Sequence, residues 1–299
     1  MKLTRVSKLM AIVLGSTIAL MGQSQAQKYG GTINLGMYSD LHTPDLHRTV
    51  GNPTAQMGIL VAEGLVDYDK KCDIAPGLAE SWDVSPKGDV YTFHIRKGVK
   101  FHNGRELTAE DVKKNMEHFL DKKTRSPRRG NFKTIKKMEV TDRYTIKMTL
   151  KKPDAGFLVK QRPLVAFILA PESFETKPPH PIGTGAFEFV EWKPKQHVKL
   201  KRNKNYWKKH NGKRVPFFDE AILRPITDAT ARYTALRTGD IDWIWTLPFE
   251  LVPSIRKNPP KGITPQVKSG ARWFYLSFNT KKGPLKDVRV RRAVAYAID

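Results

Sequence analysis

Apolar and polar positions alternate strictly from Val90 to Arg96, with Tyr91, Phe93 and Ile95 on one face and Thr92, His94 and Arg96 on the other, the period of a half-buried strand. Ser85-Pro86-Lys87-Gly88-Asp89 ahead of it predicts a turn. Past the apolar step at Val99 and Phe101, Asn103-Gly104 accepts positive φ, so the chain can reverse there. The period then changes to that of a helix: Thr108 can cap it, Glu110 and Asp111 put negative charge in its first turn, and Val112, Met116, Phe119 and Leu120 share a face. Alternation returns at Tyr144–Leu150, where Tyr144, Ile146, Met148 and Leu150 point one way.

The same reading predicts a strand over Gly30–Met37, a helix through Gln56–Gly64 and a strand over Phe187–Trp192. It also predicts a helix over Ala229–Thr238 between an Asp228 cap and a Gly239 stop, and a short strand at Trp243-Ile244-Trp245. Trp273–Asn279 alternates again, with Phe274, Leu276 and Phe278 on the core face. A last helix follows Asp287, with Val290, Val294, Ala297 and Ile298 on one face, and ends at Asp299 without a stop signal. Strands and helices mixed in this order make the fold class α/β, in its mixed α+β form.

Several of these segments also carry a resemblance. "GLAESW" at Gly77–Trp82, "YTFHIRKGVKFHNGRELTAEDV" at Tyr91–Val112, "PIGTGAFEFVEW" at Pro181–Trp192, "LKRNKNYW" at Leu200–Trp207, "ALRTGDID" at Ala235–Asp242 and the closing run Trp273–Asp299 follow one another in order. Together they resemble the family 5 extracellular solute-binding proteins of ABC importers, which include dipeptide, oligopeptide and nickel binders. The resemblance implies a periplasmic-binding-protein-like two-lobed fold. Residues 27–54 and 179–268 would form the first lobe, 55–178 an inserted α+β subdomain, and 269–299 the start of a second lobe that is mostly missing, since proteins of the family continue well past this point. It implies a function too: capture of a peptide or similar polar solute between the lobes, hinge closure, and delivery to a membrane permease.

Site residues follow from the resemblance and the residues together. The loop Tyr38–His47 corresponds to the cleft floor of the resembling proteins, which puts Tyr38 and His42 at the ligand, although Thr43-Pro44-Asp45 departs from their usual aspartate-proline order. Gly183, Thr184 and Gly185 would line the cleft near the crossover; on the residues alone they form a tight turn before a strand. Trp243 and Trp245 share a face, as a core layer or, for Trp245, an aromatic ligand wall. Tyr275 and Asn279 lie on the polar-tipped face of their strand and are expected either to contact the solute or to cover the sheet. His42 and His47 are the candidates for a metal-chelate alternative such as nickel; ordinary loop hydrogen bonds are the simpler role, and no metal or cofactor is expected.

Composition adds the compartment. Lys2, Arg5 and Lys8 precede an apolar run from Leu9 to Met21, and Ser24-Gln25-Ala26 offers small residues to a signal peptidase, so residues 1–26 are expected to be a leader cleaved after Ala26. No cysteine lies nearby to carry a lipid, which leaves the mature chain free in a periplasm, without an integral span and expected to be a monomer. The single Cys72 excludes an internal disulfide and is expected to be structural filler, either buried or unreactive. Fifty-three Lys and Arg against 29 Asp and Glu give a net charge of +24, so anionic partners are favoured in general. Within it, Lys122–Lys137 and Lys193–Arg214 are basic runs without compensating acid; Tyr206 and Trp207 interrupt the second, yet an exported chain is not expected to bind nucleic acid, and solvated surface is the simpler reading. A secreted hydrolase or peptidase is the alternative from another class. The sequence shows no nucleophile elbow, zinc helix or paired catalytic carboxylates in a recognisable context.

Overall fold

The structure is a computed structural model that describes residues 29–266 and 276–298. The expected leader, its cleavage site and Tyr275 lie outside the described residues. The chain divides into two compact units, up to Phe249 and from Glu250 onward.

The first unit contains two large sheets and two two-stranded ladders. Its elements in order are β1 (Thr32–Met37), α1 (Asn52–Val61), β2 (Val66–Tyr68), β3 (Ile74–Pro76), β4 (Ala79–Val84), β5 (Val90–Ile95), α2 (Ala109–Leu120), α3 (Arg129–Phe132), β6 (Ile135–Asp142), β7 (Thr145–Leu150) and α4 (Phe157–Lys160). Then come β8 (Phe187–Lys193), β9 (His197–Arg202), β10 (Lys209–His210), β11 (Lys213–Arg214), β12 (Glu220–Pro225), α5 (Ala229–Thr238) and β13 (Trp243–Ile244). A four-stranded antiparallel sheet runs in the order β4-β5-β7-β6. A five-stranded sheet runs β13-β1-β12-β9-β8, with β1 parallel to both β12 and β13 and the remaining pairs antiparallel. The two ladders are β2-β3 and β10-β11.

The alternation read from the sequence is what closes the first core. Tyr91, Phe93 and Ile95 from β5 and Ile146, Met148 and Leu150 from β7 are buried on one face, where Val112, Met116 and Phe119 of α2 cover them. The reversal at Asn103-Gly104 is made as expected: Gly104 takes φ +86° and Phe101 and Arg105 pair across it. The Asp111 carboxylate accepts from both the backbone N–H and the hydroxyl of Thr108, which fixes the start of α2. Asp228 caps α5 through the Ala231 N–H, and Gly239 ends it in the left-handed region.

A second core sits on the five-stranded sheet. Met37, Phe187, Phe189, Val198, Leu200, Ala221 and Leu223 face Met57, Val61 and Ala62, so α1 packs with this sheet although the expected subdomain boundary at residue 55 would have cut the helix. Buried polar clamps join the two parts. Asn115 donates to the Leu169 carbonyl and accepts from the Leu169 N–H, closing both of its amide positions on one backbone segment. His47 donates from Nε2 to the Phe167 carbonyl at 2.8 Å, while Ser126 donates to the His47 carbonyl and Arg128 to that of Thr49.

Two expectations are corrected here. Cys72 is exposed, at φ +69° in the turn between β2 and β3, so of the two expected conditions, buried or unreactive, burial is not met. Leu276–Asn279, the described part of the expected strand, pairs with no strand among the described residues, and an unpaired strand leaves its backbone groups to water. The second unit holds α6 (Val252–Lys257) and α7 (Val288–Tyr296), the latter capped by Asp287 on the Arg289 N–H as expected. No helix among the described residues is long and apolar enough to cross a membrane.

Burial dictates a pH dependence. His47 is 1% exposed with its Nδ1 unpartnered, and its neighbours are the rings of Phe119, His118 and Phe174 and the Arg128 guanidinium, so its pKa is lowered to about 3, chiefly by desolvation. The unfolded chain therefore takes up a proton below pH 6.5 that the folded chain refuses until about pH 3. Stability should fall by up to roughly 1.4 kcal/mol per pH unit across that window. Urea midpoints at pH 7, 5.5 and 4 check this: the wild type should lose stability more steeply than His47→Gln, and parallel curves would contradict it.

Candidate functional site

Where α1 ends, Glu63 is 6% exposed and its carboxylate is surrounded by donors. Thr184 Oγ1 and Trp207 Nε1 reach Oε2 at 2.9 and 2.8 Å, and the Tyr206 hydroxyl and Lys208 ammonium reach Oε1 at 3.1 Å each. Burial, then the Glu63 charge, push the Tyr206 hydroxyl pKa up, keeping it a donor. Lys208 is desolvated too, but Glu63 and Asp67 outweigh that and hold its ammonium above the ordinary range. Arg96 lies over the Trp207 ring at 4.4 Å.

This carboxylate holds the glycine turn against α1. Gly185 N–H donates to the Val61 carbonyl, its own carbonyl accepts from Asn203 and His102, and the Gly183 carbonyl accepts from the His102 N–H. A Cβ at Gly183 would overlap the Val61 carbonyl oxygen, and one at Gly185 would lie 2.5 Å from the Leu60 carbonyl oxygen. All three turn residues are buried, Thr184 completely. The close approach that the two glycines permit is therefore to the helix terminus of the same chain.

Tyr38 and Trp245 meet different circumstances. In the parallel trio, Leu35 pairs with Trp243, Gly36 with Ile244 and Met37 with Pro225, so the carboxyl ends of β1, β12 and β13 open on one edge of the sheet. Tyr38 and Trp245 both leave the sheet there, half-buried and exposed respectively. In open α/β sheets such an edge, outside the strands' carboxyl ends, is where ligands bind. Beside it, α1 covers only part of the inward sheet face, and a groove of about 420 Å³ remains, bordered by Leu35, Leu60, Phe218, Leu223, Trp243 and Trp245. The two tryptophans meet edge to face with ring centroids 5.0 Å apart, and each is about two-fifths exposed. Gln56 is the one polar side chain bordering the groove, so it suits apolar groups.

His42 is exposed in its loop while His47 is sealed under Phe119 with Nε2 engaged, and no group of three or more metal-ligating side chains occurs among the described residues. Asn279 is exposed in the second unit, and its side chain accepts from the Lys281 N–H. Sequence reasoning missed Glu63 and the Phe217-Phe218 border of the groove. The signal for Glu63 was present, a lone acid inside the apolar run Leu60–Val66, which folding can tolerate only with partners.

The basic run Lys193–Arg214 also changes character once folded. Lys199, Lys201 and Arg202 pair with Glu220, Glu188 and Asp219 on the neighbouring strands and their ends, Lys193 with Glu191 on its own strand β8, and Lys208 with Glu63. The acids that compensate the run come from strands on either side of β9, where the antiparallel register aligns them.

A family profile for "Bacterial extracellular solute-binding proteins, family 5 Middle" matches residues 73–299. The chain belongs to family 5 of the bacterial extracellular solute-binding proteins. Among curated family 5 relatives, the glutathione-binding protein GsiB of Escherichia coli O157:H7 is 30% identical over 96% of this chain and 56% of its own length. Heme-binding protein A of Haemophilus influenzae is 34% identical over 79% of this chain and 47% of its own. The solved structure of NikZ from Campylobacter jejuni in complex with Ni(L-His) has a TM-score of 0.74 at 28% identity, covering 90% of this chain and 53% of that one. DppA from Helicobacter pylori, solved with the peptide STSA, gives 0.67 at 31% identity over 78% and 50%. The chain thus spans about half the length of the curated relatives it matches.

If the glycine turn serves the packing of α1 in this family 5 chain, Gly183→Ala should destabilise it by about 2–3 kcal/mol through overpacking. Chemical denaturation measures this; an unchanged stability with lost solute binding would instead return the turn to the ligand.

Proposed function

We propose that the protein is the solute-capturing component of an ABC importer, binding a peptide or similar small polar solute and passing it to membrane permease subunits. Membership of family 5 over residues 73–299 is the observation that carries this reading. The sheet edge with Tyr38 and Trp245 is the ligand-facing border in this proposal, and Trp245 acts as the aromatic wall. Polar groups of the solute meet backbone at the Tyr38 loop, and its apolar portions lie against the tryptophan pair. Work of this kind needs no bond making or breaking; ligand contacts shift the population between open and closed arrangements. Export by the leader, with cleavage after Ala26, places the mature chain free in the periplasm as a monomer, without a bound cofactor and without nucleic acid as a partner. Tyr275 and Asn279 belong to the same proposal as contacts from the opposite lobe.

The similarity to NikZ favours one variant of this reading, a metal chelate as cargo. His42 is then the exposed candidate at the loop, His47 being engaged.

Titration calorimetry of the full chain with glutathione, short peptides, haem and nickel with L-histidine tests both, with chromatography of the mixtures for cleavage products. The expected outcome is binding of one class without turnover, weakened about tenfold or more by Trp245→Ala, as for a buried aromatic contact. Turnover of a peptide would replace the carrier by a hydrolase, and binding unaffected by Trp245→Ala would remove the sheet edge from the site.

A further inference from the structure

Five of the ten basic residues from Lys193 to Arg214 are held in ion pairs, and four of the other five lie close together in sequence. Residues 203–218 carry Lys204, Lys208, Lys209, Lys213, Arg214 and His210 and no acidic residue. Lys208 is held by Glu63 and Asp67, whereas Lys204, Lys209, Lys213 and Arg214 form no ion pair among the described residues. Three of those four stand on the β10–β11 hairpin, a two-residue ladder closed by Asn211-Gly212, both at positive φ, the tight turn that lets so short a hairpin project. Every residue from Lys209 to Arg214 is exposed.

We propose that this hairpin is a docking tip for an anionic lipid surface. At its foot a recess of about 280 Å³ is bordered by Arg202, Lys204 and Arg214 and by Tyr29, whose hydroxyl donates to the Arg214 carbonyl. A headgroup phosphate fits there, met by guanidinium and ammonium donors. Phe218, 39% exposed, follows Pro216, which borders both this recess and the apolar groove, so an aromatic side chain stands next to the cations as at a membrane interface. Nucleic acid is disfavoured because the aromatics within the run are engaged: Tyr206 and Trp207 are turned to Glu63 and cannot stack on bases. A short charged tip also lacks the apolar area that a stable protein interface buries. With no helix among the described residues able to span a bilayer, such a tip supplies a reversible, salt-sensitive hold on the membrane. This surface does not depend on which solute the protein carries.

Sedimentation of the full chain with vesicles of phosphatidylcholine and phosphatidylglycerol at 7:3, against pure phosphatidylcholine, tests it. The apolar run at Leu9–Met21 is common to all variants, so differences between them report the hairpin. Each cation near an anionic surface contributes roughly fivefold to binding, so the triple variant Lys209→Gln, Lys213→Gln, Arg214→Gln should bind the anionic vesicles roughly a hundredfold more weakly with an unchanged melting temperature. A control of equal net charge, Lys87→Gln, Lys151→Gln, Lys152→Gln, should lose far less. Equal loss in both variants would reduce the effect to net charge and overturn the proposal. So would equal binding to the two vesicle types, tighter binding to polyglutamate than to anionic vesicles, or displacement by inorganic phosphate beyond that by chloride at matched ionic strength.

Discussion

The Glu63 carboxylate is the interaction on which the first unit depends. It lies just past the carboxyl end of α1, where the helix dipole already presents negative charge, so without donors it would be strongly unfavourable. Four side chains supply them, one from the glycine turn and three from the segment after β9. Their convergence orders the layers: α1 on the five-stranded sheet, the glycine turn under its end, and the chain entering β10 at its side. The Glu63 backbone meanwhile pairs with Ile168, next to the residue whose carbonyl receives His47. One buried charge thereby ties the helix, the glycine turn and the segment after β9 to a single geometry, and a charge so placed is destabilising unless all its partners are present.

That anchoring decides what is left open. With α1 held at one end of the inward sheet face, the other end, beside β13, stays uncovered and presents Trp243 and Trp245. Strand direction adds an open border to this packing outcome, because β1, β12 and β13 run parallel and release their chain ends on the same edge. The same sheet sorts the charge. Alternation along β8, β9 and β12 sets Lys and Glu opposite each other on the outer face, so a run that is uniformly basic in sequence becomes a neutralised ladder with a basic tip.

Local elements were legible because they depend on neighbours close in sequence. β5 and β7 show their buried faces through period-two alternation, α2 through its Thr108–Asp111 start, and α5 through Asp228 and Gly239. The family was legible as well, because its segments recur in order. What escaped reading depends on partners far along the chain: Glu63 is bonded to residues 121 to 145 positions away, and the acids facing β9 arrive from two other strands. The contact of the glycine turn with α1 escaped for the same reason. Two small residues announce a close approach without saying to what, and here it is the Val61–Ala62 backbone.

Equilibrium urea unfolding of Glu63→Gln reports on this anchor most directly. Removing the charge leaves Lys208 desolvated and Tyr206 and Trp207 with a poorer acceptor, so the account predicts a loss of roughly 3 kcal/mol or more, accompanied by a rise in tryptophan exposure around Trp207. A loss below about 1 kcal/mol, the range of an ordinary surface ion pair, would contradict it.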